Sequence, residues 1–303
     1  MAELSLNFAG VNFKNPIVAA SGTFGFGREY NKYYDISKLG GICVKGLTLG
    51  PRLGNKPPRI AETAMGMLNS VGLQNPGVDA FISEELPFLR SFDTVVIANI
   101  SGNTVEEYAI MAEKLSKAKV DMIEVNVSCP NVKAGGMQFG TSASGITSVT
   151  EAVKKHSEIP IIVKLSPNVT DISEMARAAE ASGADAISLI NTLLAMRISI
   201  STRKPILHNN VGGLSGPAVF PVAVRMVWQA YTAVKVPILG MGGVMTGDNA
   251  VEMMLAGANL VGVGTACFDN PYAPIEIIED MQKYMEQHKI ESIAELTGKV
   301  IPN

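Results

Sequence analysis

Residues 121–131 read Asp-Met-Ile-Glu-Val-Asn-Val-Ser-Cys-Pro-Asn. Met122, Ile123, Val125 and Val127 make the short, β-branched apolar run expected of a strand buried on both faces in a parallel sheet. The run ends in Asn126, Ser128, Cys129 and Asn131, and Pro130 cannot donate to a continuing ladder. A glycine-bearing segment, KAGGMQFGTSASG (133–145), follows. A strand that carries a thiol to its carboxyl end, beside amides and ahead of a loop, is laid out as an active site.

The same pattern recurs along the chain. Apolar runs at 17–20, 42–44, 95–98, 122–125, 161–163, 186–190, 238–239 and 260–263 each stop at a small or polar residue. The stops are Ser21-Gly22, Lys45-Gly46, Asn99, Asn126, Lys164, Asn191-Thr192, the GMGG of 240–243, and Gly264-Thr265. Amphipathic spans lie between most of them. Thr104 caps one that runs to Lys117, with Val105, Tyr108, Met111, Ala112 and Leu115 on one stripe. Others cover 144–156, 171–182, 217–233, 246–256 and 274–288.

Eight strand–helix alternations predict an α/β fold of the (β/α)8 TIM-barrel kind, as a single domain over residues 1–303. A doubly wound sheet would want a G-x-G-x-x-G turn after its first strand, and residues 21–27 lack that spacing. Residues 4–16 alternate around Ala9-Gly10, which predicts a short N-terminal β-hairpin plugging the bottom of the barrel. Two connections, 47–90 and 193–216, are long, and loops of that length in a compact domain belong to the functional, C-terminal face.

Composition narrows the function. Of 303 residues, 47% are hydrophobic and 17% charged, which excludes a disordered chain. A net charge of −3 with scattered basic residues offers no footprint for nucleic acid. No uninterrupted apolar stretch approaches the ~20 residues needed to span a bilayer, and the first residues do not read as a signal peptide. Three widely spaced cysteines suggest free thiols in a reducing, cytoplasmic setting.

In a barrel the strand-terminal residues converge on one pocket. Here they are Lys45, Lys164, Asn99, Asn126, Asn191, Ser21, Thr192 and Cys129, joined by Asn69 from the first long connection. The three histidines lie elsewhere, so no catalytic metal is expected. The glycines of 240–243 and 264, with Gly216 and Lys164, suit a phosphate-bearing ligand held by backbone N–H groups. Amides and a lysine around a flat pocket suit a planar heteroaromatic cofactor such as a flavin. Alternatively, Lys164 reaches solvent, or serves as the Schiff-base lysine of an aldolase or isomerase. Cys43 and Cys267 read as packed hydrophobes, whereas Cys129 is placed to act as nucleophile or base.

Nine motifs, in order along nearly the whole chain, resemble those of the dihydroorotate dehydrogenase family, and within it the class 1B catalytic subunits. They are NPIVAASGTFGFG (15–27), VKGLTLGPRLGNKPPRIAET (44–63), MLNSVGLQNPGVD (67–79), NVSCPNVKAGG (126–136), VKLSPNVTDI (163–172), SLINTL (188–193), NNVGGLSGPA (209–218), PILGMGGV (237–244) and VGVGTACF (261–268).

The resemblance implies one FMN per chain and oxidation of dihydroorotate to orotate in de novo pyrimidine (UMP) biosynthesis. It implies FMN contacts at Ser21, Lys45, Gly46, Asn99, Asn126, Lys164 and Ile190, with phosphate at Gly216, Gly242, Gly243, Gly264 and Thr265. Substrate would meet Lys45, Asn69, Ser70, Val71, Gly72, Leu73, Asn126, Asn191 and Thr192, with Cys129 as catalytic base under a lid, 130–140. The chain carries no iron–sulfur cysteine spacing and no dinucleotide fingerprint. Class 1B membership therefore implies a partner subunit bearing FAD and [2Fe–2S] that passes electrons to NAD, around a homodimer of this chain in a heterotetramer. The homodimeric, fumarate-using class 1A is the alternative.

Overall fold

A computed structural model describes residues 2–128 and 139–303. Eight strands form a closed barrel: Ile17–Ala19, Gly41–Cys43, Val95–Ile100, Met122–Asn126, Ile161–Lys164, Ala186–Leu189, Ile238–Met241 and Leu260–Val263. Each pairs in parallel with the next, and the last closes on the first, with Val261 opposite Ile17 and Val263 opposite Ala19. The expected TIM barrel is therefore the fold.

Strand parity sorts the side chains. Ile42, Val96, Ile123, Val125, Val163, Ile187 and Val261 face outward into a core shared with the helices. Val18, Cys43, Ile97, Met122, Ile162, Ala186, Leu239 and Leu260 pack together inside the barrel. The hairpin Leu6–Phe8/Val11–Phe13 closes the amino-terminal end of this interior. Its turn uses Ala9 and Gly10, both at positive φ, and it drives Phe8 and Phe13 into the inner cluster in an edge-to-face pair.

The helices fall within three residues of their expected bounds: Val105–Lys117, Ala143–His156, Ile172–Ala181, Phe220–Ala233, Gly247–Leu255 and Ala273–His288. Thr104, Ser142, Asp171 and Thr246 cap four of them, each side-chain oxygen accepting from a first-turn backbone N–H. Among the described residues, no helix is long and apolar enough to cross a membrane.

The two long connections differ from simple loops. Ile60–Thr63 and Gly66–Asn69 from the first pair with Gly212–Ser215 and Leu193–Ala195 from the second, in one four-stranded antiparallel sheet. Residues 78–89 of the first connection are helical. Asn69 thus ends a strand rather than riding a loop. Likewise Asn99 sits inside the strand Val95–Ile100 instead of just past it.

Replacing Phe13 with alanine removes one of the two aromatic rings of the barrel plug and should cost about 3–5 kcal/mol of stability in urea unfolding. A loss below about 1 kcal/mol, the scale of a surface change, would show that the hairpin does not seal the interior.

Candidate active site

Above the inner apolar layer, the next inward positions on neighbouring strands are polar. Parity carries Ile97 to Asn99, Met122 to Glu124 and Asn126, Ile162 to Lys164, and Ala186 to Ser188. Ladder register sets Asn99 beside Glu124, Asn126 beside Lys164, and Lys164 beside Ser188. Asn99, Glu124 and Ser188 are wholly shielded from solvent, and Lys164 and Asn126 nearly so.

Glu124 is the hub of this layer. Its Oε1 accepts from Ser188 Oγ at 2.7 Å. Its Oε2 accepts from Asn99 Nδ2 and from Cys43 Sγ at 3.2 Å, with Lys164 Nζ at 3.5 Å. Burial pushes the carboxyl upward, but Lys164 and the bonds from Ser188, Cys43 and Asn99 outweigh it and hold the group below its usual range. Cys43 is pushed the other way. Burial first, then the Glu124 charge, keeps the thiol protonated.

Because Asn99 Nδ2 is committed to Glu124, its Oδ1 points away and is buried without a partner among the described residues. Buried acceptors are ordinarily paired with a donor, and this oxygen has none among the described residues. It faces Gly46, where a Cβ would come within 2.9 Å of it.

A cavity of about 360 Å³ opens on this layer at the carboxyl ends of the strands. It is lined by Ser21, Lys45, Gly46, Asn69, Val71, Gly72, Leu73, Asn99, Asn126, Lys164, Ile190, Asn191, Thr192, Gly242, Gly243, Gly264 and Thr265. Two expected contacts lie behind the lining. Ser70 is fully buried with its hydroxyl unpaired, and Gly216 backs Gly243. Gly243 sits at φ +74°, and a Cβ there would lie 2.7 Å from the Gly216 carbonyl oxygen. Only glycine lets this corner of backbone pack so closely against Gly216 and Phe220. Cys129 lies outside the described residues.

The polar lining is held in place. Ser128 Oγ donates to Asn126 Oδ1 at 2.8 Å and accepts from Asn191 Nδ2 at 2.6 Å, tying two strand ends together. Tyr108 OH donates to the Asn126 carbonyl at 2.8 Å. Asn168 Nδ2 donates to the Thr192 carbonyl at 3.1 Å. Thr265 Oγ1 and Ser215 Oγ are 2.8 Å apart at the glycine-rich corner.

Sequence reasoning passed over Ser128, Ser215 and above all Glu124. Ser215 adjoins Gly216 in the LSGPA run, and Ser128 adjoins the thiol. For Glu124 the signal was a charge inside an otherwise apolar strand. Among the described residues no three His, Cys, Asp or Glu side chains group as a metal site would need.

Fold and cavity together define a (β/α)8 barrel protein whose cavity, at the carboxyl ends of the strands, is lined by amides, lysines and a glycine-rich corner. The family model for dihydroorotate dehydrogenase matches residues 3–285, and the chain belongs to that family. The Alkaliphilus oremlandii protein named dihydroorotate dehydrogenase B (NAD(+)), catalytic subunit, is 58% identical over 298 residues, 98% of this chain and 99% of that one. Its namesake from Thermoanaerobacter pseudethanolicus is 55% identical over the same shares. The crystal structure of DHODH in complex with ferulenol from Eimeria tenella superposes with a TM-score of 0.83. At 22% identity, covering 98% of this chain and 88% of that one, it speaks for the fold.

Cys43 is buried beside a carboxylate, and Cys267, chiefly through burial, is pushed up to about 12. Neither should react with iodoacetamide in the folded protein at about pH 8, since the thiolate is the nucleophile. Peptide mass spectrometry checks this, and rapid labelling of Cys43 would contradict the protonated, sealed thiol.

Proposed function

We propose that this chain is the FMN-binding catalytic subunit of a class 1B dihydroorotate dehydrogenase, oxidising dihydroorotate to orotate in de novo pyrimidine biosynthesis. The observation that carries it is the convergence, in one cavity, of the unpartnered Asn99 oxygen, Lys164, paired amides and a glycine corner.

These residues fit a flavin mononucleotide. Asn99 Oδ1 would be an acceptor for the flavin ring. Lys164, whose Nζ has no acceptor in hydrogen-bonding geometry among the described residues, favours negative charge at the ring edge. Ser21, Lys45, Gly46, Asn126 and Ile190 complete the ring contacts. Gly242, Gly243, Gly264 and Thr265, backed by Gly216, take the phosphate through backbone N–H groups and a hydroxyl. Bound FMN supplies the acceptor for a hydride.

Dihydroorotate is an anion with amide edges, which suits Lys45, Asn69, Asn126, Asn191 and Thr192, with 70–73 beside them. Oxidation takes a proton from its C5 and a hydride from its C6. Cys129 takes the proton. Charge developing next to the C4 carbonyl is eased by the amides of Asn126 and Asn191, whose orientation Ser128 fixes in advance.

Electrons must then leave through another protein, and the name "catalytic subunit" carried by the relatives points to a partner. We assign that partner FAD and a [2Fe–2S] cluster that deliver electrons to NAD, in a cytoplasmic heterotetramer around a homodimer of this chain.

Cys129→Ala should purify yellow with FMN but lose turnover by roughly a hundred- to ten-thousand-fold, the usual span for a lost general base. Turnover at the wild-type rate would remove Cys129 from the mechanism. Steady-state assays with the co-purified partner should show NAD reduction, and fumarate reduction by this chain alone would move it to class 1A.

A further inference from the structure

The proposed reaction gives Glu124 no role, yet few positions in a protein are less favourable for a carboxylate than the axis of a packed barrel. Three hydrogen bonds, from Ser188, Asn99 and Cys43, hold it ionised there. Its charge is directed at Lys164, 3.5 Å away and itself only 5% exposed. The pair sits between the sealed interior and the cavity, and Lys164 lines the cavity.

The other titratable groups facing Lys164 do not replace Glu124. Cys43, from the second strand, is kept neutral by burial and by Glu124 itself. Lys45, past the end of that strand, lines the same cavity and carries the same sign as Lys164. Asn99, Asn126 and Ser188 are uncharged. Among the described residues, the negative charge that faces Lys164 is that of Glu124.

We propose that Glu124 is a positioning residue that keeps Lys164 protonated whether the bound flavin is oxidised or reduced. This rests on the FMN reading of the site. A lysine buried without a carboxylate favours its neutral form. With Glu124 in place, the cation is present before any charge arrives. Hydride brings two electrons and one proton, the ring gains one negative charge, and no further proton is drawn from solvent. Without Glu124, Lys164 stands neutral beside the oxidised ring and takes up a proton once the ring is anionic. Reduction then consumes two electrons and two protons.

The test is the midpoint potential of the FMN-loaded full chain as a function of pH, by dithionite titration with indicator dyes. For a two-electron couple a tenfold change in equilibrium constant is 29.6 mV, so one proton gives about 30 mV per pH unit and two give about 60. Between about pH 7 and about pH 9, clear of carboxylate and ordinary lysine titration, the wild type should follow the shallow slope. Glu124→Gln should follow the steep one.

Adding Lys164→Arg to that variant should restore the shallow slope, because a guanidinium does not release its proton. A structural defect alone would not return the slope in this way. A flavin-loaded Glu124→Gln with the shallow slope, shifted in potential or not, overturns the role of Glu124 alone. If that variant does not fold, a steep wild-type slope overturns it equally. A wild-type chain that holds no FMN overturns the functional reading together with this one.

Discussion

Pairing of the last barrel strand with the first, Val261 on Ile17 and Val263 on Ala19, closes the ladder, and the site depends on that closure. A closed sheet has no edge, and alternate residues of every strand must point inward. Eight strands leave an interior that side chains fill, so a ligand can bind only above it, where the strands end. The hairpin with Phe8 and Phe13 completes the logic by sealing the opposite end.

Filling is apolar low in the barrel and polar just beneath the cavity. Buried ion pairs are weak contributors to stability, since the cost of desolvation can match the attraction gained. Barrel interiors are commonly filled by branched hydrophobic residues instead. The Glu124–Lys164 pair, with Asn99 and Ser188 saturating the carboxylate, is therefore better explained by what it presents to the cavity than by what it adds to folding. The layer sets Asn99 and Lys164 at the floor of the cavity while the Glu124 carboxylate is hidden below.

The strand–helix alternation made the barrel, its helices and its plug legible, because hydrophobic period and caps such as Thr104 and Thr246 are local signals. Convergence of Ser21, Lys45, Asn126, Lys164 and Thr192 then followed from topology. Other features depend on partners distant in sequence. Residues 60–69 and 193–215 read as loops because their strands pair with each other across the carboxyl face rather than within one hairpin. Glu124 lies within its strand and not at the strand end. Parity from Met122 would have turned it inward, but its four neighbours come from four other strands. Ser70 looked like a contact from its neighbours 69–73, yet its side chain turns into the protein.

The central claim is that this cavity holds a flavin that accepts hydride from dihydroorotate. Anaerobic titration of the purified chain with dihydroorotate, followed at the visible flavin band and by orotate release, addresses it directly. The account predicts bleaching that ends at one equivalent of dihydroorotate per chain with matching orotate. A colourless chain, or a bound flavin that dihydroorotate leaves oxidised, would contradict it.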